Sequence, residues 1–402
     1  MTRNFITRPL SDFTDDSCDL NDLAGSEGML FVRNGIGFAG VGNVQRLSLP
    51  DAVATLRASR HDSTVDEAGA GAVAIGWQPF GVTGGRAFVP DVCFGKSASG
   101  AAWVTFEVGQ EHVAKKHLAP VSQLAPTASN YSIRAGVSPE RYLDAVLRAR
   151  EAVRSGEITK AVIARDIFVE SSTRIDVHAL LRRLKTSFGS SYLYSIDGLV
   201  GASPELLVER TGDVVRSQPL AGTCPRTGDR EADARLAAEL RSSSKNQIEH
   251  RVVIDMVHDT LLPYCSYLDW QPEPEVIAVA NVQHLGTSIE GRLSEPLPSV
   301  VDLVRVLSPT PALGGHPREA ALRLIARHEG MDRGRYGGAV GWVDQHGNGT
   351  WAVTIRCAEL STDRMSARLF AGGGIVADSE PLAELAETQA KLQAMLAAIV
   401  RP

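Results

Sequence analysis

A helix near the end of the chain carries acidic and basic side chains at a spacing that puts them on one face. Glu384, Glu387 and Lys391 are three and four residues apart, so they share a helix face. A predicted turn of three glycines precedes this helix: Gly372, Gly373 and Gly374. Glycines let the backbone approach a ligand closely, and the unpaired N–H groups at a helix start favour an anion. Carboxylates beside such a turn indicate a divalent cation that bridges protein and acidic ligand.

A simpler interpretation of the same stretch needs no ligand. Glu387 and Lys391 could form an exposed pair worth about 0.3–0.5 kcal/mol, with glycines that only turn the chain. On this stretch alone, the simpler interpretation is favoured.

Three other charged residues interrupt apolar, strand-like segments. Lys160 lies in or at the edge of a predicted strand over 158–169, and such a lysine usually points to solvent. Glu205 follows Pro204 in the segment 201–205, where the proline predicts a break between two strands. Arg356 interrupts an apolar strand within 350–360, and a half-buried arginine needs an anionic partner such as a carboxylate.

Further polar candidates stand in turns and on a second helix. Gly222 and Thr223 form a turn that could offer an N–H and an O–H to a carboxylate, although most such turns do not. Glu249 lies four residues after Lys245 on a predicted helix, as a solvated charge or a carboxylate aimed across a cleft. His284, at the end of a predicted strand, is more often structural than a donor to a ligand.

The remaining elements follow from caps, turns and apolar periodicity. Residues 1–125 alternate apolar runs with turns and predict strands and hairpins. Helices are predicted over 139–155, 229–240 and 246–262, each behind a polar capping residue. A hairpin is predicted for 336–344 with 350–360. The loop 307–317 holds prolines and glycines, and a loop so constrained and apolar usually shapes a pocket.

Composition excludes several classes of protein. The chain has 402 residues, 44% of them hydrophobic and 22% charged, with a net charge of -6. Mild acidity argues against nucleic acid or an anionic membrane as a partner. No apolar run approaches a bilayer span and the N-terminus has no signal-like segment, so we expect a cytoplasmic protein. The net charge of -6 without a large exposed apolar signature predicts a monomer. The five scattered cysteines indicate neither disulfides nor zinc, and we expect them to be reduced and structural.

Taken together, the motifs resemble a known family. The blocks KAVIAR, GASPELL, PLAGT, KNQIEH, VQHLGT, PTPALGG, YGGAVGW, TIRC and GGGIVADSEPLAELAETQAK occur in this order within about 138–400. They resemble the chorismate-utilising enzymes, and among these the isochorismate synthases. The resemblance implies an α/β (α+β) fold with a large β-sandwich core flanked by helices and the site in a cleft. Residues 1–125 would be its strand-rich part and 126–402 its chorismate-binding catalytic region, in one integrated domain.

The resemblance also implies roles for the candidate residues. Lys160 would be the base that activates water, and Glu205 the acid that protonates the departing C4 hydroxyl of chorismate. Mg²⁺ would be held by Glu249 and Glu387, with Glu384 acting through water. The remaining substrate contacts would be Gly222, Thr223, His284, Ala312, Leu313, Tyr336, Arg356, Gly372, Gly373, Gly374 and Lys391.

Two positions depart from the family pattern. Ser308 stands where relatives often have histidine, and Asn246 where they often have a second acidic residue. The second departure puts metal affinity in doubt.

Other functions remain open. A salicylate synthase would add loss of pyruvate, and anthranilate or aminodeoxychorismate synthases generally lack the lysine at position 160. A non-catalytic dicarboxylate-binding protein would need neither acid nor base. For the pathway, resemblance places siderophore or salicylate-type metabolism ahead of menaquinone.

Overall fold

The structure is a computed structural model that describes residues 3–15, 17–118, 129–279 and 281–401. Ten α-helices are described: α1 Leu20–Ala24, α2 Ala52–Ala58, α3 Glu111–Leu118, α4 Pro139–Arg154, α5 Val177–Phe188, α6 Arg230–Ser242, α7 Ser244–Leu261, α8 Val300–Leu307, α9 Arg318–His328 and α10 Pro381–Val400. Two short 3-10 helices are Leu10–Asp12 and Leu262–Tyr264.

The same residues contain the following strands: β1 Asn4–Pro9, β2 Met29–Arg33, β3 Ile36–Ser48, β4 Arg60–Ser63, β5 Val73–Gln78, β6 Arg86–Lys96, β7 Ala102–Glu107, β8 Tyr131–Ala135, β9 Lys160–Ser171, β10 Tyr192–Ile196, β11 Leu199–Ser203, β12 Leu206–Thr211, β13 Val214–Gln218, β14 Leu220–Pro225, β15 Cys265–Trp270, β16 Glu275–Val279, β17 Val282–Gly286, β18 Ile289–Leu293, β19 Gly315–His316, β20 Ala339–Asp344, β21 Gly349–Val353, β22 Cys357–Leu360 and β23 Ser366–Ile375.

One large sheet passes through most of these strands. Hydrogen-bonded antiparallel neighbours follow the order β8-β9-β23-β22-β11-β10-β2-β3-β6-β5-β20-β21-β12-β13-β18-β15. The strands β7, β1 and β4 branch from β6, and β19 pairs with β9. A small second sheet has the order β14-β17-β16. The long strands β3 and β6 therefore connect the two halves of the large sheet.

The two halves face each other across an apolar core built almost wholly from strands. This core contains side chains of β2, β3, β5 and β6 together with those of β10, β11 and β20–β23. Two further core clusters add helices on the outside, α1, α5 and α10 in one and α2, α7 and α8 in the other. Because each sheet face buries its apolar side chains, strands pack on strands inside and helices cover the outer faces. The predicted β-sandwich flanked by helices is confirmed.

Strands from the first third of the chain pair directly with later ones. β2 pairs with β10, and β5 pairs with β20 over six residues. The prediction that residues 1–125 are mainly strands holds for their described part, which also contains three short helices. The predicted boundary between residues 125 and 126 lies outside the described residues.

Three of the predicted helices begin directly after a residue whose side chain caps the helix. Ser138 accepts a hydrogen bond from the Arg141 N–H at the start of α4, and Asp229 and Ser243 cap α6 and α7 in the same way. Their side chains satisfy N–H groups that the helix cannot pair, so the start of each helix is encoded locally.

Strand limits differ from the predictions in three places. The predicted strand that leads to His284 is a hairpin of β16 and β17, so His284 lies inside a strand and not at its end. The predicted break at 201–205 is confined to Pro204 and Glu205. Arg356 lies between β21 and β22 with a φ of 51°, in the left-handed region. None of the helices in the described ranges is both long and apolar enough to cross a bilayer.

Candidate active site

A pocket opens where β9, β23, α7 and α10 meet. Its empty space, including the open mouth, is about 820 Å³. The lining mixes four basic with four acidic side chains on an otherwise small and apolar wall. These residues line it: Lys160, Val162, Glu205, Leu220, Ala221, Gly222, Thr223, Lys245, Asn246, Glu249, His284, Ala312, Leu313, Tyr336, Ile355, Arg356, Gly372, Gly374, Glu384, Glu387 and Lys391.

Lys160 is the first residue of β9 and points into this pocket. Its exposed fraction is 3%, so the prediction of a solvent-facing side chain is wrong. Alternation along the strand explains the direction, because Lys160 and Val162 face the pocket while Ala161 and Ile163 pack in a helix-covered core cluster. The Lys160 ammonium donates a hydrogen bond of 2.7 Å to Glu249 Oε1 on α7, and this ion pair satisfies the buried charge.

The three glycines do not form a turn. They belong to β23, where residues 372–374 pair with 162–164 of β9, and α10 begins only at Pro381. The predicted anion-binding turn at the helix start is therefore wrong. The strand needs glycines for space: a Cβ at Gly374 would lie 2.8 Å from Glu249 Oε1, and one at Gly373 would lie 2.7 Å from Glu384 Oε2. Their missing side chains leave room for the charged groups of the pocket.

The substitution Gly374→Ala tests this explanation. The new methyl group would also lie 2.8 Å from Lys160 Cε, so the Lys160–Glu249 pair has to move. We expect a loss of turnover of at least about tenfold, since small displacements of reacting groups are costly. We expect little loss of thermal stability, because the displaced atoms end flexible side chains. Steady-state kinetics and thermal unfolding would be measured together, and unchanged turnover would contradict the explanation.

Glu205 lies at the strand break on another wall of the pocket. Its exposed fraction is 2%, and burial raises the pKa of its carboxyl to about 8 despite the lowering effects of the Leu220 N–H, Lys160 and Arg356. The Leu220 N–H approaches Glu205 Oε1 at 3.5 Å. Glu205 therefore keeps its proton at neutral pH and can donate it.

Arg356 and His284 form a fixed pair inside the pocket. Arg356 Nη2 donates to His284 Nε2 at 3.3 Å, so Nε2 is the acceptor and the ring proton lies on Nδ1. That nitrogen is 3.1 Å from both Gly222 O and Thr223 Oγ1. Burial, with the charges of Arg356 and Lys391, lowers the pKa of His284 to about 3, so the ring is neutral. The guanidinium is thus held in place for an anion.

The side chains of the predicted polar face of α10 line the pocket. Lys391 Nζ contacts Glu387 Oε1 at 2.6 Å and donates to Gly372 O at 2.8 Å. Lys391 is 9% exposed, so this is not the exposed pair of the simpler interpretation. Burial, followed by the charge of Glu387, raises the pKa of Glu384 to about 7. Burial alone would raise the pKa of Glu387, but the charges of Lys391 and Arg356 hold it below its usual value.

The carboxylates of this pocket fit a magnesium ion. Glu249, Glu384 and Glu387 offer only oxygen atoms, which Mg²⁺ prefers. The raised pKa of Glu384 shows that its negative charge lacks full compensation beside Glu387, and a cation would supply it. In the described part of the chain, no three His, Cys, Asp or Glu side chains could enclose a metal by themselves. Mg²⁺ does not require this, because it commonly binds one or two carboxylates, water and substrate.

Of the residues predicted for the site, all but Gly373 line this one pocket. A Cβ at Gly373 would point from the strand toward Glu384 and Tyr142. Six lining residues lie outside the predicted set: Val162, Leu220, Ala221, Lys245, Asn246 and Ile355. Lys245 had a usable signal, since it lies one helical turn before Glu249. Asn246, the departure from the family pattern, also lines the pocket, and its Nδ2 donates to Ser243 Oγ at 3.0 Å.

Two sequence relatives are similar to most of the chain. A Mycobacterium tuberculosis protein with the provisional name isochorismate synthase MenF is 45% identical over 274 residues, 65% of this chain and 73% of that protein. Isochorismate synthase DhbC of Bacillus subtilis is 41% identical over 280 residues, 67% of this chain and 70% of that protein.

A solved structure has a similar fold. It is the menaquinone-specific isochorismate synthase MenF from Escherichia coli, with a TM-score of 0.84. The superposed region covers 100% of this chain and 95% of that protein. Its identity of 24% supports the fold alone.

The sequence profile of the family described as chorismate binding enzyme matches residues 97–400. This match begins about forty residues before the motif blocks noted in the sequence, so it also includes β7. The matched region contains every residue that lines the pocket. This chain therefore belongs to the family of chorismate binding enzymes.

Proposed function

We propose that this protein is an isochorismate synthase, which converts chorismate to isochorismate. The observation that carries the proposal is the presence of Lys160 and the protonated Glu205 in one pocket that also holds a fixed arginine. A protein that only bound a dicarboxylate would need the arginine and no buried acid and base. The relatives named isochorismate synthase support the same reaction.

In this proposal the chemistry is an exchange of hydroxyl groups. Lys160, after its ammonium has released a proton to solvent, takes a proton from a water molecule that attacks C2 of chorismate. The ring double bonds shift, and the C4 hydroxyl leaves as water with the proton of Glu205. One water enters and one leaves, so the reaction is an isomerisation. Arg356 receives a substrate carboxylate, and the neutral His284 keeps the guanidinium in place.

We propose that Glu249 and Glu387 hold Mg²⁺, with Glu384 acting through water. When bound, the ion would offset the negative charge of the substrate carboxylate and of the α10 glutamates. Arg356, Gly222 and Thr223 complete the contacts to the carboxylates, and Ala312, Leu313 and Tyr336 shape the apolar wall.

Removal of divalent cations is expected to stop turnover. Carboxylate ligands without a Cys or His cluster favour Mg²⁺ over softer transition metals. The protein would be dialysed against excess chelator and assayed before and after addition of Mg²⁺ or Zn²⁺. We expect activity to be lost and then restored by Mg²⁺. Full turnover in excess chelator would disprove the metal requirement.

Product analysis tests the proposed reaction. Pure chorismate would be incubated with the protein and Mg²⁺, in parallel samples with and without an ammonium salt, and the products separated by chromatography. An isochorismate synthase gives an equilibrium mixture of chorismate and isochorismate. Salicylate with pyruvate would identify a salicylate synthase, a product containing ammonia nitrogen would identify an amino-transferring relative, and unchanged chorismate that still binds would identify a binding protein.

For the pathway, we propose siderophore or related salicylate-type metabolism ahead of menaquinone, on motif resemblance. Relatives carry names of both kinds, DhbC and MenF, and support either pathway. Deletion of the gene would decide, because loss of menaquinone with normal catechol output would reverse the ranking.

We also propose one integrated domain, in which 1–125 forms the strand-rich part and 126–402 the catalytic region. The pairing of β2 with β10 and of β5 with β20 supports this arrangement. We propose a cytoplasmic monomer without nucleic-acid or membrane partners. The net charge of -6 and the buried thiols of Cys93 and Cys357, whose pKa values burial raises, support it.

A further inference from the structure

A buried ion pair lies behind the pocket wall, outside the residues given a role in the reaction. Arg333 and Glu329 are 3% and 1% exposed. Arg333 Nε donates to Glu329 Oε1 at 2.7 Å, and Arg333 Nη2 donates to Oε2 at 2.5 Å. Burying two charges costs desolvation energy, and apolar replacements of such pairs are often at least as stable. The pair therefore calls for an explanation other than stability.

Both partners also bind the backbone of the pocket wall. Arg333 Nη2 donates to Val162 O at 2.7 Å and Nη1 donates to Leu313 O at 2.8 Å. Glu329 Oε2 accepts from the Ala164 N–H at 2.7 Å. Val162 and Leu313 line the pocket on two different segments, β9 and the loop before α9. The ion pair thus joins two walls of the site.

These bonds fill a gap in the pairing of β9. On one edge, β9 pairs with β19 at residues 160–161 and with β8 at 167–171. Between them, within the described residues, that edge has no strand partner at Val162 and Ala164. The Val162 N–H instead donates to Gly314 O, Arg333 donates to Val162 O, and Glu329 accepts from the Ala164 N–H. Two side chains replace a strand there, two residues after Lys160.

A third wall segment is attached to the same arginine. The Arg333 guanidinium lies over the Phe80 ring, 4.2 Å from its centroid, and Arg333 O accepts from the Tyr336 N–H at 3.0 Å. Tyr336 lines the pocket and stacks on Phe370 of β23 at 5.2 Å. Arg333 therefore contacts the segments that carry Val162, Leu313 and Tyr336.

We propose that Arg333 and Glu329 are positioning residues for the reaction. They hold the strand of Lys160 against the loop of Leu313, so that the lysine meets the bound substrate at a fixed distance. Only a planar guanidinium can donate two hydrogen bonds to Glu329 and at the same time one each to Val162 O and Leu313 O. The inference rests on the proposed function, because it requires Lys160 to be the base.

The variant Arg333→Lys tests the proposal. Its ammonium keeps the positive charge but cannot reproduce the fork to Glu329, Val162 O and Leu313 O. We expect kcat to fall by about tenfold or more while KM changes less than about threefold, since a displacement of the base weakens the step more than binding. Arg210→Lys is the matched control: Arg210 is 5% exposed and donates to three carbonyls, of Gly212, Pro298 and Gly347, away from the pocket. We expect it to lower thermal stability without changing kcat per folded molecule.

A double-mutant cycle with Lys160→Ala separates positioning from general damage. If Arg333 acts through Lys160, the loss from Arg333→Lys nearly disappears in the Lys160→Ala background, where residual rates are measured over long incubations. The same loss in both backgrounds, or an unchanged kcat, would overturn the inference. Should Arg333→Lys not fold, the cycle is run with Glu329→Gln under the same criteria. Wild-type protein that forms no isochorismate refutes the proposed function instead, whereas wild-type turnover with an additive cycle refutes only the positioning role.

Discussion

The variants Lys160→Ala and Glu205→Gln are each expected to lower turnover of chorismate by at least about a hundredfold. This is the usual scale for removing a general base or acid. Lys160 and Glu205 are both buried in the pocket, and Glu205 holds its proton at neutral pH because burial raises its pKa to about 8. Neither variant removes Arg356, so we expect the affinity for chorismate to change less than the rate. Steady-state kinetics with titration of chorismate would measure both quantities.

Matched substitutions and pH provide the controls. Glu209→Gln, on β12 four residues after Glu205 and paired with Arg216 at the surface, should leave turnover unchanged. Wild-type turnover should decline as pH rises through about 8, where Glu205 loses its proton. Near-native turnover in either Lys160→Ala or Glu205→Gln would show that its catalytic assignment is wrong.

The same pKa predicts an effect on stability. Between the ordinary value of 4.5 and about 8, folded Glu205 keeps a proton that the unfolded chain releases, so its contribution to the free energy of unfolding falls as pH rises. Glu205→Gln removes this titration. Urea unfolding at pH 5 and pH 8 should therefore show a smaller loss of stability for the variant than for the wild type.

The variant Glu387→Gln is expected to abolish turnover while the fold remains intact. The carboxylate is a proposed ligand of Mg²⁺ and the ion-pair partner of Lys391 at 2.6 Å. A neutral amide weakens the binding of Mg²⁺ and leaves the buried Lys391 ammonium without its charge partner. We expect Mg²⁺ affinity, measured by calorimetry in the presence of chorismate, to fall by more than about tenfold. Circular dichroism would verify the fold.

Glu380→Gln supplies a control at the start of the same helix. Glu380 is exposed, pairs with Arg150 at 3.2 Å and does not line the pocket. We expect its turnover and Mg²⁺ affinity to match those of the wild type. If Glu387→Gln binds Mg²⁺ with the affinity of the wild type, Glu387 is not a ligand of the metal ion.

Local features of the sequence determined the helices and much of the site. Polar capping residues such as Ser138 and Ser243 mark helix starts, because they satisfy N–H groups a few residues away. The spacing of Glu384, Glu387 and Lys391 placed them on one face for the same local reason. The order of the motif blocks indicated the family, and with it most of the residues of the pocket.

Pairing between distant strands decided the rest. Three consecutive glycines predict a turn when read alone, but ten residue pairs with β9 make them part of a strand. The local sequence predicts that Lys160 faces solvent. In the structure it is buried in the pocket, because Glu249, 89 positions later, compensates its charge. The bond from Arg333 to Val162 O spans 171 positions, and no local pattern marks it. Helix caps act over one turn of chain, whereas strand partners and buried charge pairs are contacts between residues far apart in sequence, so only the tertiary structure could place them.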